Sequence, residues 1–474
     1  MRAVVLGNGG SGQAAAELLR REGFAVSILD GEDRWPDGTW DLCVTSPGIP
    51  LTHPWQVAAR AAGVPVISEL QLGAERYRAM GGRMLAVTGS KGKSSVVKLI
   101  ADALGGVPCG NYGTPLCEVV LGNGEWGSIH RQCPATNGQL PATNNQLKWA
   151  VVEVSTFQME TTELPPDTFE AAAVLNLQED HLDRHGSVAV YHALKRKLLT
   201  FAKVKIMGTD PGSWGMGNGE WGMESLGTDP ENFGDSPRET LGTDPRALAI
   251  KIVGTDPEIK DADADLFAKS YFDNPILMGN ALCAVELLRT AGLSDDAIRA
   301  AFLRFEPLPH RMQTVGVAEG VAWIDDSKAT SIAALVAGVT MAAHRFAGSV
   351  PMVRGSVPKA SGSVPKVRLI AGGLPKGDDP AMARDCLAAS VRKVYLIGQC
   401  AGEMESAWKD TVPCEMCGTL DRAVAAAGRD AETGDCVLLS PGTASFDQFK
   451  SYGERGDRFA SLCGIRPQDH RDMV

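Results

Sequence analysis

Short apolar runs and longer mixed segments take turns along most of this 474-residue chain. The first cycle reads RAVVLG, a glycine turn NGGSG, the helix-compatible QAAAELLRREG, and then FAVSILD. Consecutive apolar residues bounded by turn residues predict a buried strand, whereas apolar positions recurring every three to four residues predict a helix. The chain therefore opens as βαβ, and the strand-like DLCVTS and VPVIS close a small α/β domain near residue 80. A second α/β unit starts at MLAVTGSKGKSS (84–95). A third runs from about residue 308, where WIDDS, VRLIAGG, KVYLIG and DCVLLSP alternate with helical stretches such as MARDCLAASV and LDRAVAAAG. Such alternation predicts mostly parallel sheets, divided here as domains 1–80, 81–307 and 308–474.

Several segments break the alternation and repeat themselves. PATNGQL is followed directly by PATNNQL (134–147), GTDP starts at 208, 227, 242 and 254, NGEWG at 123 and 218, and GSVP at 348, 355 and 362. Rich in Gly, Pro, Asn, Thr and Ser, they cannot add much to a core and are too irregular for a solenoid. They are expected to be exposed loop expansions without chemistry.

Composition narrows the function by exclusion. A net charge of −11 argues against a general nucleic-acid or membrane-surface binder. No run of 18 apolar residues exists to span a membrane. Eleven scattered cysteines, without a signal peptide, suggest reduced thiols in a cytoplasmic protein. The one close pair, Cys414-x-x-Cys417, lacks a second ligand pair for zinc.

The candidate chemistry starts at residues 84–95. The apolar Met84–Val87 breaks into Gly89-Ser90-Lys91-Gly92-Lys93-Ser94, and a helix-compatible run follows at once. This is the layout of a phosphate-binding loop, shortened by lack of a glycine at Val87. Backbone N–H groups and a helix N-terminus face the anion, Lys93 reaches the β/γ-phosphates, and Ser94 can hold Mg²⁺. The first turn, Gly7 to Gly12, also fits G-x-G-x-x-G with Asp30 ending the next strand. That pattern suits a dinucleotide and hence an NAD-dependent oxidoreductase; with a separate triphosphate loop present, a turn against another phosphate-bearing ligand is preferred. Glu153, in VVEVSTFQ, fits a Mg²⁺ ligand at a strand end, or in isolation an ordinary surface strand residue. Asn176, Glu179, Asp180, His181, Asp183 and His185 crowd beyond the next apolar strand, where α/β proteins place active sites. His181 fits a metal ligand or a helix cap equally. Lys195, on the probable helix YHALKRKLL, reads by itself as a solvated side chain.

Together these pieces resemble the muramyl (Mur) ligase family, which adds amino acids to the peptide stem of peptidoglycan precursors. The resemblance rests on TSPGIPLTHP (45–54), GSKGKSS (89–95), GNYGTPL (110–116), EVSTFQME (153–160) and NLQEDHLDRHG (176–186). It continues through MGNALCAVELL (278–288), LPHRMQTV (308–315), DDSKATS (325–331), AGGLPKGDD (371–379) and LLSPGTASFDQFKSYGERG (438–456). It implies an α/β fold of three domains: a Rossmann-like UDP-sugar-binding domain, a central P-loop ATPase-like domain, and a Rossmann-like C-terminal lid. It implies a monomeric cytoplasmic ligase that spends ATP with Mg²⁺ to join D-glutamate to UDP-N-acetylmuramoyl-L-alanine through an acyl phosphate. The alternatives within the class are L-glutamate or another amino acid, or a folylpolyglutamate-type substrate; a non-catalytic relative is disfavoured by the intact Lys93, Glu153, His181 and Lys195.

By the same resemblance, Gly89, Ser90, Lys91, Gly92, Lys93, Ser94 and Ser95 bind ATP, joined by Asn280, Arg311 and Asp326, with Lys328 near the phosphates. Ser94, Glu153, His181 and a CO₂-carbamoylated Lys195 would hold the metal. Ser11, Asp30 and Asn111 fall where the UDP-sugar is held, and Thr330, Lys376, Ser445 and Tyr452 where glutamate is gripped. Departures from the family pattern cluster at the amino-acid end: Ser331 for Asn, Leu374-Pro375 for a more polar turn, Gly442-Thr443 for the common Ala-Cys, and Tyr452 for Phe. Lys91 for Asn adds a positive charge beside the phosphates, and Thr156 for Ser is a mild change.

Overall fold

The computed structural model describes residues 1–31, 33–122, 147–178, 182–208, 250–252, 263–346 and 367–464. The repeats lie almost wholly outside these residues. The described chain forms two compact units, one of Met1–Phe272 with Gly279–Leu303, the other of Asp273–Met278 with Arg304–Val474.

The first unit holds two sheets. In the smaller, β1 (Arg2–Leu6), β2 (Ala25–Leu29), β3 (Leu42–Thr45) and β4 (Val66–Ser68) run parallel in the order β2-β1-β3-β4. The helix Gly10–Arg21 buries Ala14, Ala15, Ala16, Leu18 and Leu19 against β1 and ends on Arg20 and Arg21, which suit the negative end of its dipole. That core also takes in Cys117, Val120 and Leu121, from the helix Leu116–Leu121 that follows the next sheet's second strand. At this seam Gly73, on the helix Glu69–Ala79, lets the backbones approach: a Cβ there would stand 2.9 Å from Cys117 N. Beside it the buried Glu69 carboxylate accepts the Cys117 N–H at 2.7 Å, and burial pushes its pKa up to about 7.

The larger sheet of this unit is wholly parallel, in the order β10-β9-β8-β5-β7-β6. Its strands are β5 (Met84–Thr88), β6 (Val107–Gly110), β7 (Ala150–Glu153), β8 (Phe169–Val174), β9 (Ala202–Met207) and β10 (Ile250–Ile252). All five residues of β5 are buried, as its unbroken apolar run predicts for a strand covered on both faces. Because β5 lies between β7 and β8, the loop after it opens beside Glu153 on one side and Asn176 on the other.

The second unit carries β11 (Gln313–Ala318), β12 (Val321–Asp325), β13 (Val367–Gly372), β14 (Val391–Ile397), β15 (Cys414–Gly418) and β16 (Cys436–Leu439). They stand in the order β11-β12-β16-β13-β14-β15. The pairings are parallel except β11 with β12, a hairpin turned at Glu319 (φ +52°) and Gly320 (φ +76°). With β16 lodged between β12 and β13, the direction of winding reverses there, and a crevice opens at the strands' C-terminal ends. Arg368, buried in β13, donates from Nε to Asp435 at 2.7 Å and from Nη1 to the Tyr395 hydroxyl at 3.2 Å, so its charge is paired inside the sheet.

Candidate active site

The phosphate loop is built by one tight turn. Gly92, at φ +82°, leads directly into the helix Lys93–Leu104, and a Cβ there would sit 2.0 Å from the Asn280 side-chain nitrogen. Glycine is required on both counts. The helix start has no side-chain cap, so the loop end offers its N–H groups and the positive end of the helix dipole to an anion. Lys93 curls back, its Nζ donating to Gly89 O at 2.8 Å and Ser90 O at 3.3 Å.

Asn176 clamps this loop from β8. Its Oδ1 accepts the Lys91 N–H at 2.8 Å, and its Nδ2 donates to Lys91 O at 2.9 Å and to Asn280 Oδ1 at 3.0 Å. Ser90 Oγ is likewise held: it donates to Gln178 O, accepts the Gln178 N–H, and lies 3.2 Å from the Tyr191 hydroxyl. Ser95 is buried beneath the turn while Ser94 stays partly accessible.

Two readings of isolated residues are corrected here. Glu153 is not a surface residue but 2% exposed, because β7 is flanked by β5 and β6. Lys195 is not solvated: it is also 2% exposed, and its Nζ donates to Gly89 O at 2.9 Å and lies 4.5 Å from the centre of the Tyr191 ring. Glu153 Oε1 accepts from Asn111 Nδ2 at 2.7 Å, whereas Oε2 is buried with no hydrogen-bond partner. Asn111, expected at the UDP-sugar, thus sits against the candidate metal ligand. An orphaned carboxylate oxygen beside a phosphate loop is the donor a hard divalent cation wants, so these residues fit Mg²⁺. His181, with Glu179 and Asp180, lies outside the described residues. His185 is described: its Nε2 lies 3.0 Å from Thr156 Oγ1 and its Nδ1 3.4 Å from Glu160.

At the N-terminal sheet, Ser11 lies in the first turn of the helix Gly10–Arg21 and Asp30 stands exposed just after β2. The turn is as close as the glycines suggest, since a Cβ on Gly12 would stand 1.9 Å from Gly7 O. Ser46, which the motif reading passed over inside TSPG, has a buried, unpartnered Oγ beside Gly7 and Gly12. Its position after β3, facing the turn after β1, was legible only once the strand order was known.

In the second unit, Asp326 is 8% exposed, accepting from Ser440 Oγ at 2.9 Å and the Met312 N–H at 3.2 Å, and burial pushes its pKa up to about 7. The partly buried Arg311 acts on it through charge. Lys328 Nζ reaches the Tyr452 hydroxyl at 3.0 Å, and Lys376 Nζ donates to Thr330 Oγ1 at 3.2 Å, so the four residues pair off. Ser445 is buried and Tyr452 exposed. Two groups here had no individual signal in the sequence. His310 Nδ1 lies 2.7 Å from Asp325, which raises its pKa above the ordinary histidine value. Arg455, 1% exposed, donates to Ser327, Thr443 and Ala444, and burial lowers its pKa to about 10.

The signs of these shifts give a testable result. A carboxyl raised from 3.8 to about 7 makes the folded protein bind a proton that the unfolded chain releases, so stability falls as pH rises through that window. His310 acts in the same direction, its contribution lost as pH rises through its raised value. Asp326→Asn removes the larger penalty. The stability of that variant relative to the parent, from urea unfolding at pH 5 and pH 8, should therefore be greater at pH 8. An equal difference at both pH values contradicts the burial argument.

A family model described as the Mur ligase middle domain matches residues 87–211. The chain is 33% identical to UDP-N-acetylmuramoylalanine–D-glutamate ligase of Frankia casuarinae, covering 98% of this chain and 94% of that protein. It is also 33% identical to the ligase of the same name from Anaeromyxobacter dehalogenans, covering 97% of each. Among solved structures, the UDP-N-acetylmuramate–alanine ligase of Thermotoga maritima aligns over 98% of this chain and 99% of that one, at 14% identity and a TM-score of 0.49.

Proposed function

The chain belongs to the family of UDP-N-acetylmuramoylalanine–D-glutamate ligases, and from that premise we infer how its own residues divide the work. It is an ATP-dependent, ADP-forming ligase that adds D-glutamate to UDP-N-acetylmuramoyl-L-alanine in peptidoglycan precursor synthesis. The observation that carries the residue assignment is the meeting, at the C-terminal edge of one parallel sheet, of a phosphate loop, a buried lysine and an orphaned carboxylate oxygen.

The alanyl carboxylate attacks the γ-phosphorus of ATP, ADP departs, and an acyl phosphate forms. The glutamate amine then attacks the acyl carbon, and inorganic phosphate leaves as the amide forms. Two anions must meet in the first step, so charge stabilisation dominates the barrier. Lys93 and the loop N–H groups of Gly89 to Ser95 supply it from the protein. Mg²⁺, when bound, adds a Lewis acid on the phosphate oxygens; Ser94, Glu153, His181 and Lys195 would hold it. An unmodified Lys195 is a cation and cannot ligate; addition of its neutral amine to CO₂, with loss of a proton, makes a carbamate oxygen donor. Asn280, Arg311, Asp326 and Lys328 are assigned to the nucleotide. Ser11, Asp30 and Asn111 are assigned to the UDP-sugar, and Thr330, Lys376, Ser445 and Tyr452 to glutamate.

Domains 1–80, 81–307 and 308–474 would then serve the sugar nucleotide, ATP and the amino acid in turn, in a cytoplasmic monomer. No helix among the described residues is long and apolar enough to cross a membrane. The test is ADP release with each substrate omitted and each glutamate isomer supplied. Release is expected only with UDP-N-acetylmuramoyl-L-alanine and D-glutamate together. Turnover with L-glutamate alone, or with a folate in place of the UDP-sugar, overturns the substrate assignment.

A further inference from the structure

The loop after β3 and the phosphate loop after β5 leave different sheets of the first unit, and one ion pair lies between their contacts. Arg184 donates from Nε and Nη2 to the two carboxylate oxygens of Glu160, at 3.0 and 2.7 Å, as a planar fork. Both side chains are largely buried, 17% and 8% exposed. The guanidinium also lies over the Phe157 ring, 5.0 Å from its centre, which holds it from one face.

Each partner reaches one loop. Arg184 Nη2 extends to Ile49 O at 3.4 Å, a carbonyl to which Gln56 Nε2 also donates, at 3.1 Å. Ile49 faces the first glycine turn, since a Cβ on Gly7 would lie 3.8 Å from its Cγ1 and 3.1 Å from Ser46 Oγ. On the other side, Glu160 Oε1 is 3.4 Å from His185 Nδ1. The His185 ring stands 5.7 Å from that of Tyr191, whose hydroxyl is 3.2 Å from Ser90 Oγ in the phosphate loop. The contacts therefore run unbroken from one loop to the other. Attraction within a buried ion pair does little more than repay the desolvation of its charges, so stability alone is a weak account of this one. What it supplies is a fixed geometry between two loops.

Resting on the reading that these loops hold the UDP-sugar and ATP, we propose that Arg184 is a positioning residue that couples the two sites. A ligand that settles the loop after β3 fixes Ile49 and the guanidinium, and through Glu160 the His185 and Tyr191 rings. The second ligand then has less to order, so each binds more tightly in the presence of the other. The experiment is calorimetry on the whole protein with UDP-N-acetylmuramoyl-L-alanine, with and without a saturating non-hydrolysable ATP analogue and Mg²⁺. In the parent, the analogue should strengthen UDP-sugar binding about tenfold, and in Arg184→Met that factor should fall to about one. Kd for either ligand alone should stay near the parental value. Arg184→Lys keeps a cation for Glu160 but not the fork that also reaches Ile49, so it should lose the coupling too. Should Arg184→Met not fold, the double variant Arg184→Met/Glu160→Gln, which strands no charge, must show the same loss. A merely structural pair gives a lower melting temperature with the coupling factor intact, and that result overturns the proposal, as does a parent without coupling. A parent that binds no UDP-sugar overturns instead the reading on which the proposal rests.

Discussion

Replacing Glu153 by glutamine should lower ADP release by about a thousandfold while leaving the protein at least as stable as the parent. The two outcomes share one cause. Glu153 Oε1 is satisfied by Asn111, but Oε2 is buried with nothing to bond, a cost the fold carries without structural return. Glutamine keeps an acceptor for Asn111 and removes the charge. If Glu153 were a packing residue, the variant would lose stability and keep its rate. If it is the cation's ligand, activity falls and the melting temperature does not. Activity of the variant should also need far more Mg²⁺, read by titrating the metal at saturating ATP. A normal rate at ordinary Mg²⁺ would remove Glu153 from the metal site.

Lys93→Ala should reduce kcat/KM for ATP by about a thousandfold, with affinity for the UDP-sugar unchanged. In the substrate-free protein the ammonium lies on the carbonyls of Gly89 and Ser90, two of the loop's own acceptors. A triphosphate would draw it outward, exchanging two neutral acceptors for charged ones. Charge-assisted hydrogen bonds are roughly twice as strong as neutral ones, so the exchange favours the nucleotide. UDP-sugar affinity, measured by calorimetry without ATP, reports the N-terminal sheet and serves as the internal control. A matching loss there would mean that the substitution has disturbed the fold rather than the loop.

What could be read from the chain follows the physical range of each signal. The phosphate loop was legible because its strand, turn and helix start are contiguous, and β5 and β13 because strands covered on both faces leave unbroken apolar runs. The edge strands β11 and β15 gave no such run, being only partly buried. Lys195 was misjudged in isolation because helical periodicity does not say which neighbour fills the space beside a face, and here the loop itself does. Asn176 was noticed only as one of a crowd. Its role as a clamp joins residues 85 and 104 positions away, a relation no local pattern encodes.

The seam at Gly73 and Glu69 bears on how this protein can be taken apart. A piece ending at residue 80 would carry the first sheet intact but lack the helix Leu116–Leu121, which completes its core through Cys117, Val120 and Leu121. It would also leave a carboxylate, matched in the whole chain to the Cys117 N–H, with no backbone amide to meet. An N-terminal fragment that keeps this core must therefore extend past β5 and β6 to the end of that helix. It would still leave those two strands without β7, which stands between them. Shorter excisions would present a greasy face to solvent and clump on expression.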